Sequence, residues 1–249
     1  MRNWKFVTGV DIPFVENIYI SQPTMKELSQ TFSTEDEFLK LIQVLNHTKE
    51  SLKKQVGEEI PLENNYYVLL SILKSSSMNG DFSLEGQLLK FFKLLFKNYN
   101  VEFSSAGISV STKEEDSFVF IEGENYDKLQ EIVREIFCLK DLIGDQEIIT
   151  DYNPQSDRAK RIADQLKKRH DALAKMEKES SGKSIFANYI DIVSVGLGVS
   201  INEINNYTLS QLMITMQRLN LLEAFNIDLK VRLAGGDPKS ETEHWKKII

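Results

Sequence analysis

Residues 84–96 constrain this chain more than any other stretch. Leu88, Leu89, Phe91, Phe92, Leu94, Leu95 and Phe96 fall within one helix-length segment and leave it too apolar for a surface position. A helix of that kind is stable only when other elements surround it, so the segment predicts a domain built around itself. The chain can supply those elements. At 249 residues, 41% hydrophobic and 27% charged, it is long enough to bury about 70 to 75% of its unfolded surface, as one large domain or two small ones. That composition excludes a disordered, fibrous or disulfide-stapled chain. Its one cysteine, Cys138, lies in Ile136-Phe137-Cys138-Leu139 and reads as a buried small hydrophobe. A single thiol makes neither an internal disulfide nor a Cys-rich zinc site, so a reducing compartment is expected.

The elements before the central helix are marked by their start signals. The first 22 residues read as extended, with Ile18-Tyr19-Ile20 as a short β-rich run. Pro23 then suits the first turn of a short helix over 24–30. Thr34 with Glu37 forms a capping box ahead of Phe38, Leu39, Ile42 and Leu45, whose spacing of three and four predicts a helix. Tyr66 to Leu73 is apolar nearly all round, and Ser75-Ser76-Ser77-Met78-Asn79-Gly80 reads as a loop.

After residue 100 the hydrophobic period changes from helical to two. Val101, Phe103, Ile108, Val110, Phe118 and Phe120 alternate with polar partners, broken at Ser104–Gly107 and Lys113–Asp116. This predicts a three-stranded antiparallel meander covered on one face by a helix over Tyr126–Leu139. Gly144–Pro154 is polar and punctuated, and it coincides with a change of charge. Residues 1–150 carry 15 basic against 24 acidic residues, net −9, and residues 151–249 carry 15 against 13, net +2. The fold class expected is therefore α+β and predominantly α-helical. Residues 1–150 form an acidic α+β domain of helices and meander, and 151–249 an all-helical domain. The helices of the latter are Ser156–Glu179, Ser184–Val199 and one opened by Thr208 through Leu222, with a last turn around Trp245.

Chemistry is harder to find. Gly182-Lys183-Ser184 ends like a phosphate-binding loop, but Glu177 stands where the first glycine belongs and a charged helix precedes it in place of a strand. The bland reading is a helix stop followed by a serine cap. Gly196-Leu197-Gly198 begins like a dinucleotide fingerprint, yet Ile201 occupies the third glycine position and no βαβ unit surrounds it. His47, His170 and His244 are isolated, no Gly-x-Ser-x-Gly elbow exists, and Cys138 lies in apolar surroundings. No catalytic site, cofactor or metal is expected. No apolar run approaches the 18 or so residues of a membrane span, so no membrane partner is expected, and the acidic balance argues against nucleic acid.

What remains are surfaces for protein contact. Within Ser156–Glu179 the stripe Ala159, Ala163, Leu166 and Leu173, flanked by Lys167, Lys168 and Arg169, is the candidate partner-binding element. Internal packing is the favoured reading of the stripe, with a partner helix from another chain as the alternative, and a solvated helix face is the ordinary reading of the basic cluster.

Several segments together resemble tail-region proteins of bacteriophages. They are Ile18-Tyr19-Ile20-Ser21-Gln22-Pro23-Thr24-Met25-Lys26-Glu27-Leu28; Asn153-Pro154, with Ala159-Lys160-Arg161-Ile162-Ala163 and Lys167-Lys168-Arg169; and Tyr207-Thr208-Leu209-Ser210-Gln211-Leu212. Arg232-Leu233-Ala234-Gly235-Gly236 with His244-Trp245 is similar to the endings of tail assembly chaperones and related phage late proteins. The resemblance implies a non-enzymatic assembly factor in the host cytoplasm. Such a factor binds and chaperones a tail, baseplate hub or tape-measure protein, with phage tail or baseplate proteins, or a second copy, as partners. A structural subunit of the tail or baseplate is the alternative, and an inhibitor of a host protein ranks below it. Pro23, Tyr207, Thr208, Gln211, Gly235 and Trp245 are architectural under this resemblance.

Overall fold

The computed structural model describes residues 4–51, 64–78, 83–104, 107–114, 117–138, 152–153, 184–235 and 237–238. The fold is α+β and mostly helical. The chain divides into two units, one of residues 2–142 together with 205–211, the other of 143–204 together with 212–249.

In the first unit, α1 (Trp4–Thr8) leads into a hairpin of β1 (Ile12–Val15) and β2 (Ile18–Ile20). The N-terminal stretch expected to be extended is thus helical over its first part. Helix α2 (Met25–Thr31) starts one residue later than the helix expected over 24–30, because Thr24 is its cap and not its first helical residue. The Thr24 side chain accepts from Glu27 N–H at 3.2 Å, and the Glu27 carboxylate accepts from Thr24 N–H at 2.8 Å. Burial works to raise the Glu27 carboxyl, but the Thr24 N–H and the Lys97 ammonium outweigh it and hold the group below its ordinary value. Helix α3 (Glu35–Asn46) has Thr34 as its cap, accepting from Glu37 N–H at 3.2 Å. The return bond goes one residue further back, from Ser33 N–H to Glu37 at 2.8 Å.

Helix α4 (Asn65–Met78) runs through the serines expected to form a loop. Its buried face, Tyr66, Val68, Leu69 and Leu73, holds it helical where local composition alone favours a turn. Helix α5 (Ser83–Leu95) is the central element. Leu88, Phe91, Phe92, Leu95 and the following Phe96 are all fully buried. Phe91 meets Phe137 at 5.6 Å between centroids, Phe137 meets Phe38 at 5.3 Å, and Phe14 of the hairpin meets Phe96 at 5.7 Å. One aromatic cluster thereby joins hairpin and helices.

The meander is β3 (Asn100–Ser104), β4 (Gly107–Ser111) and β5 (Phe118–Ile121), antiparallel in that order. Its inner face carries Val101, Ile108, Val110, Val119 and Ile121, all buried. Helix α6 (Gly123–Ile136) buries Tyr126, Leu129, Ile132, Val133 and Ile136. The Gln130 side chain, also buried, donates to the carbonyls of Leu45 at 2.7 Å and His47 at 3.0 Å, closing the C-terminus of α3. Cys138 is a buried thiol, as its apolar surroundings predicted.

Residues 205–211 complete this unit. The N–H groups of Met25 and Lys26, unpaired donors at the start of α2, reach the carbonyls of Tyr207 at 2.8 Å and Asn205 at 2.9 Å. Gln211 donates to the Val7 carbonyl at 3.0 Å, and Thr24 and Thr208 form a β-bridge. Two of the segments that carry the phage resemblance, 18–28 and 207–212, therefore meet through their backbones. Charge and composition give no sign of this return.

In the second unit, β6 (Tyr152–Asn153) pairs antiparallel with β7 (Asp237–Pro238), a small ladder in a part expected to be all helical. Helix α7 (Ile185–Leu197) and the short α8 (Ile201–Ile204) follow. Helix α9 (Leu209–Leu233) opens at Thr208 as predicted but continues eleven residues past Leu222, since Ile227 and Val231 extend its apolar positions. The helix predicted over Ser156–Glu179 and the turn around Trp245 lie outside the described residues.

Candidate functional site

The second unit presents a groove between α7 and α9. Ser184 caps α7 by accepting from Ala187 N–H at 3.0 Å, which makes Gly182-Lys183-Ser184 the start of a helix. At the other end Gly198 takes the left-handed conformation, φ 67°, and its N–H closes on the carbonyls of Ser194 and Val195. Gly196-Leu197-Gly198 is thus a helix end. Ser200 and Glu203 then exchange bonds of 3.0 and 3.3 Å in a capping box for α8. Thr208 and Gln211 do the same for α9 at 2.9 and 3.2 Å. Each of the three helices therefore starts at a local capping bond.

The two helices touch where α7 has no side chain. A β-carbon at Gly196 would lie 2.7 Å from Leu219 Cδ1, closer than atoms approach, so glycine is what lets α9 come this near. Beside that contact the groove encloses about 660 Å3. Ile192, Val195, Leu219, Leu222 and Ile227 form its apolar lining, and Asp191, Glu223 and Lys230 stand among the polar groups around it. The apolar surface does not stop at the groove. Val195 is 83% exposed, Leu233 80%, and Ile185, Ile192, Leu197, Ile201 and Leu229 are exposed as well. By contrast Val193, two residues from Val195 on the same helix, is completely buried. One face of α7 is core and the other is aliphatic surface, which is what a docking face looks like and what a solvated helix avoids.

The candidate partner-binding residues from the sequence, Ala159, Ala163, Leu166, Lys167, Lys168, Arg169 and Leu173, lie outside the described residues. The groove is a second surface that this reading missed. Its signal was present: α7 carries apolar residues all round with Asp191 as its only charge, more than one buried face requires. His47 sits at the end of α3 with its carbonyl bonded to Gln130, and Cys138 Sγ lies 3.6 Å from Ser210 Oγ. Among the described residues no three His, Cys, Asp or Glu side chains gather as metal ligands, and no helix is long and apolar enough to cross a membrane.

Residues 177–249 match the family model described as YomV second domain. It is a phage-derived family, from Bacillus prophages, and the match relates this chain to phage proteins without naming an activity or partner. The matched stretch contains all of α7, α8 and α9, and so the whole groove. No curated protein and no solved structure matches the chain.

Proposed function

We propose that this chain is a non-enzymatic phage assembly factor that binds a tail, baseplate hub or tape-measure protein and keeps it soluble until it is incorporated. The observation that carries the reading is the aliphatic face of α7 and α9, exposed around a groove within the segment that matches a phage-derived family. The client this surface suits would be long and helical, with apolar faces that need cover before assembly. A groove between two helices takes such a face by laying an amphipathic helix along it. The excess of acid over base in residues 1–150 would keep the loaded complex soluble.

The test is co-expression with each tail and baseplate protein of the same phage. The reading expects at least one of them to move from the insoluble to the soluble fraction in complex with this chain, and to return when Val195 is changed to Asp. Clients that stay equally insoluble with and without the chain would contradict it. Purified particles separate the alternative, because an assembly factor is absent from them and a structural subunit is present stoichiometrically.

A further inference from the structure

A different surface, in the first unit, has its own chemistry. Strand β5 is an edge of the meander: no strand pairs with its outer side among the described residues. The Thr112 N–H donates to the Ser117 carbonyl at 3.0 Å, and the register Val110 opposite Val119 and Ile108 opposite Ile121 continues that alternation. The backbone groups of Val119 and Ile121 therefore face β4, and those of Phe118 and Phe120 face outward. Asn125 Nδ2 donates to the Phe120 carbonyl at 3.0 Å from that outward side, a bond that an added strand would share or displace.

The side chains of Phe118 and Phe120 stand on the outer face, 54% and 43% exposed, with ring centroids 4.7 Å apart. Behind them in the sheet come Ser109 and Ser111, too small to cover the rings. An uncharged Phe-Val-Phe-Ile edge is what monomeric proteins avoid, because it invites another strand. Here the charges sit at its ends and are mainly acidic. Glu114 lies in the β4–β5 turn beside Lys113, Glu122 and Glu124 follow β5, and all three glutamates are exposed. Glu122, Glu124 and Asn125 also line a cavity of about 440 Å3 at the end of the strand.

We propose that β5 is a docking edge for an extended protein segment with alternating apolar residues and flanking lysines or arginines. The segment would add as a fourth strand, cover Phe118 and Phe120, and set a basic side chain against Glu122 and Glu124. Charge complementarity selects this occupant over a second copy. Antiparallel pairing of two β5 strands, Phe118 opposite Phe120, brings the acidic ends of both copies together, like charge against like.

The experiment titrates the full-length, 15N-labelled chain with two capped peptides, Lys-Lys-Val-Ser-Val-Ser-Val-Lys-Lys and its twin with Glu in place of every Lys. The lysine peptide should bind at least about tenfold more tightly than the glutamate twin and slow amide exchange at Phe118 and Phe120. A Glu122→Gln, Glu124→Gln variant should lose that preference, and a Phe118→Ser, Phe120→Ser variant should lose binding with α6 amides unshifted. Equal affinity for the two peptides, or unchanged exchange at Phe118 and Phe120, would overturn the proposal. So would protection of these amides that rises with the protein's own concentration and without peptide, which would make the occupant a second copy.

Discussion

Two valines on α7 separate stability from binding. Val193 is fully buried and Val195 is 83% exposed, on one helix and two residues apart, so the same substitution at each has opposite consequences. Val193→Asp removes a buried side chain worth about 1.5 to 3 kcal/mol and places a carboxylate where it has no water. The combined cost is about 4 kcal/mol or more, a large share of a domain's stability. Val195→Asp changes a side chain already in water, and its effect on folding should stay within about 0.5 kcal/mol. In a complex the account buries Val195, so losing that burial costs about 2 kcal/mol and weakens client binding roughly 30-fold. Amide exchange along α7 reads the first effect and capture of the co-expressed tail protein reads the second. If Val195→Asp accelerates exchange across α7 as Val193→Asp does, the face is core and not a docking surface. If it captures client as well as the native chain, the groove is not where the client sits.

Other residues make equally specific predictions. Gln130→Leu leaves the His47 carbonyl without its bond and weakens the Leu45 cap, which keeps only the Tyr126 hydroxyl at 3.3 Å; denaturant unfolding of the first unit should show a loss of about 1 to 3 kcal/mol. Glu16 sits at φ 46° in the β1–β2 turn, a left-handed conformation that favours glycine, so Glu16→Gly should raise stability by up to about 1 kcal/mol in the same assay. The Glu27 carboxyl is held below its ordinary value in the folded chain, so its contribution is present above the unfolded carboxylate value and lost as pH falls through the folded one. The stability gap between the native chain and Glu27→Gln should accordingly shrink on acidification, and a gap that does not change with pH would contradict the assignment.

Much of the fold was readable because its signals are local. Thr34, Ser184 and Thr208 each cap the helix they announce, since a capping bond spans only three residues. The strands of the meander were readable for the same reason, a period of two interrupted by turn residues, but the face of β5 was not: all four of its residues are apolar, and the structure buries Val119 and Ile121 where the alternation pointed to Phe118 and Phe120. Where distant parts decide, the pattern was silent. The serines of α4 look like a loop until the buried face beside them is counted. The return of residues 205–211 rests on the carbonyls of Asn205 and Tyr207, backbone atoms that every sequence has. The groove was hidden differently: α7 is apolar on all sides, so periodicity cannot say which side is covered. Only the contrast between Val193 and Val195 in the folded chain shows it.

The most direct test of the docking claim is a photo-activated cross-linking residue placed at Val195 of the full chain in phage-producing cells, with the same residue at exposed Lys40 of α3 as the control. The account predicts an adduct between position 195 and a tail, baseplate hub or tape-measure polypeptide, and none of it from position 40. Adducts to host proteins alone, or tail-protein adducts from position 40 and not from 195, would contradict it.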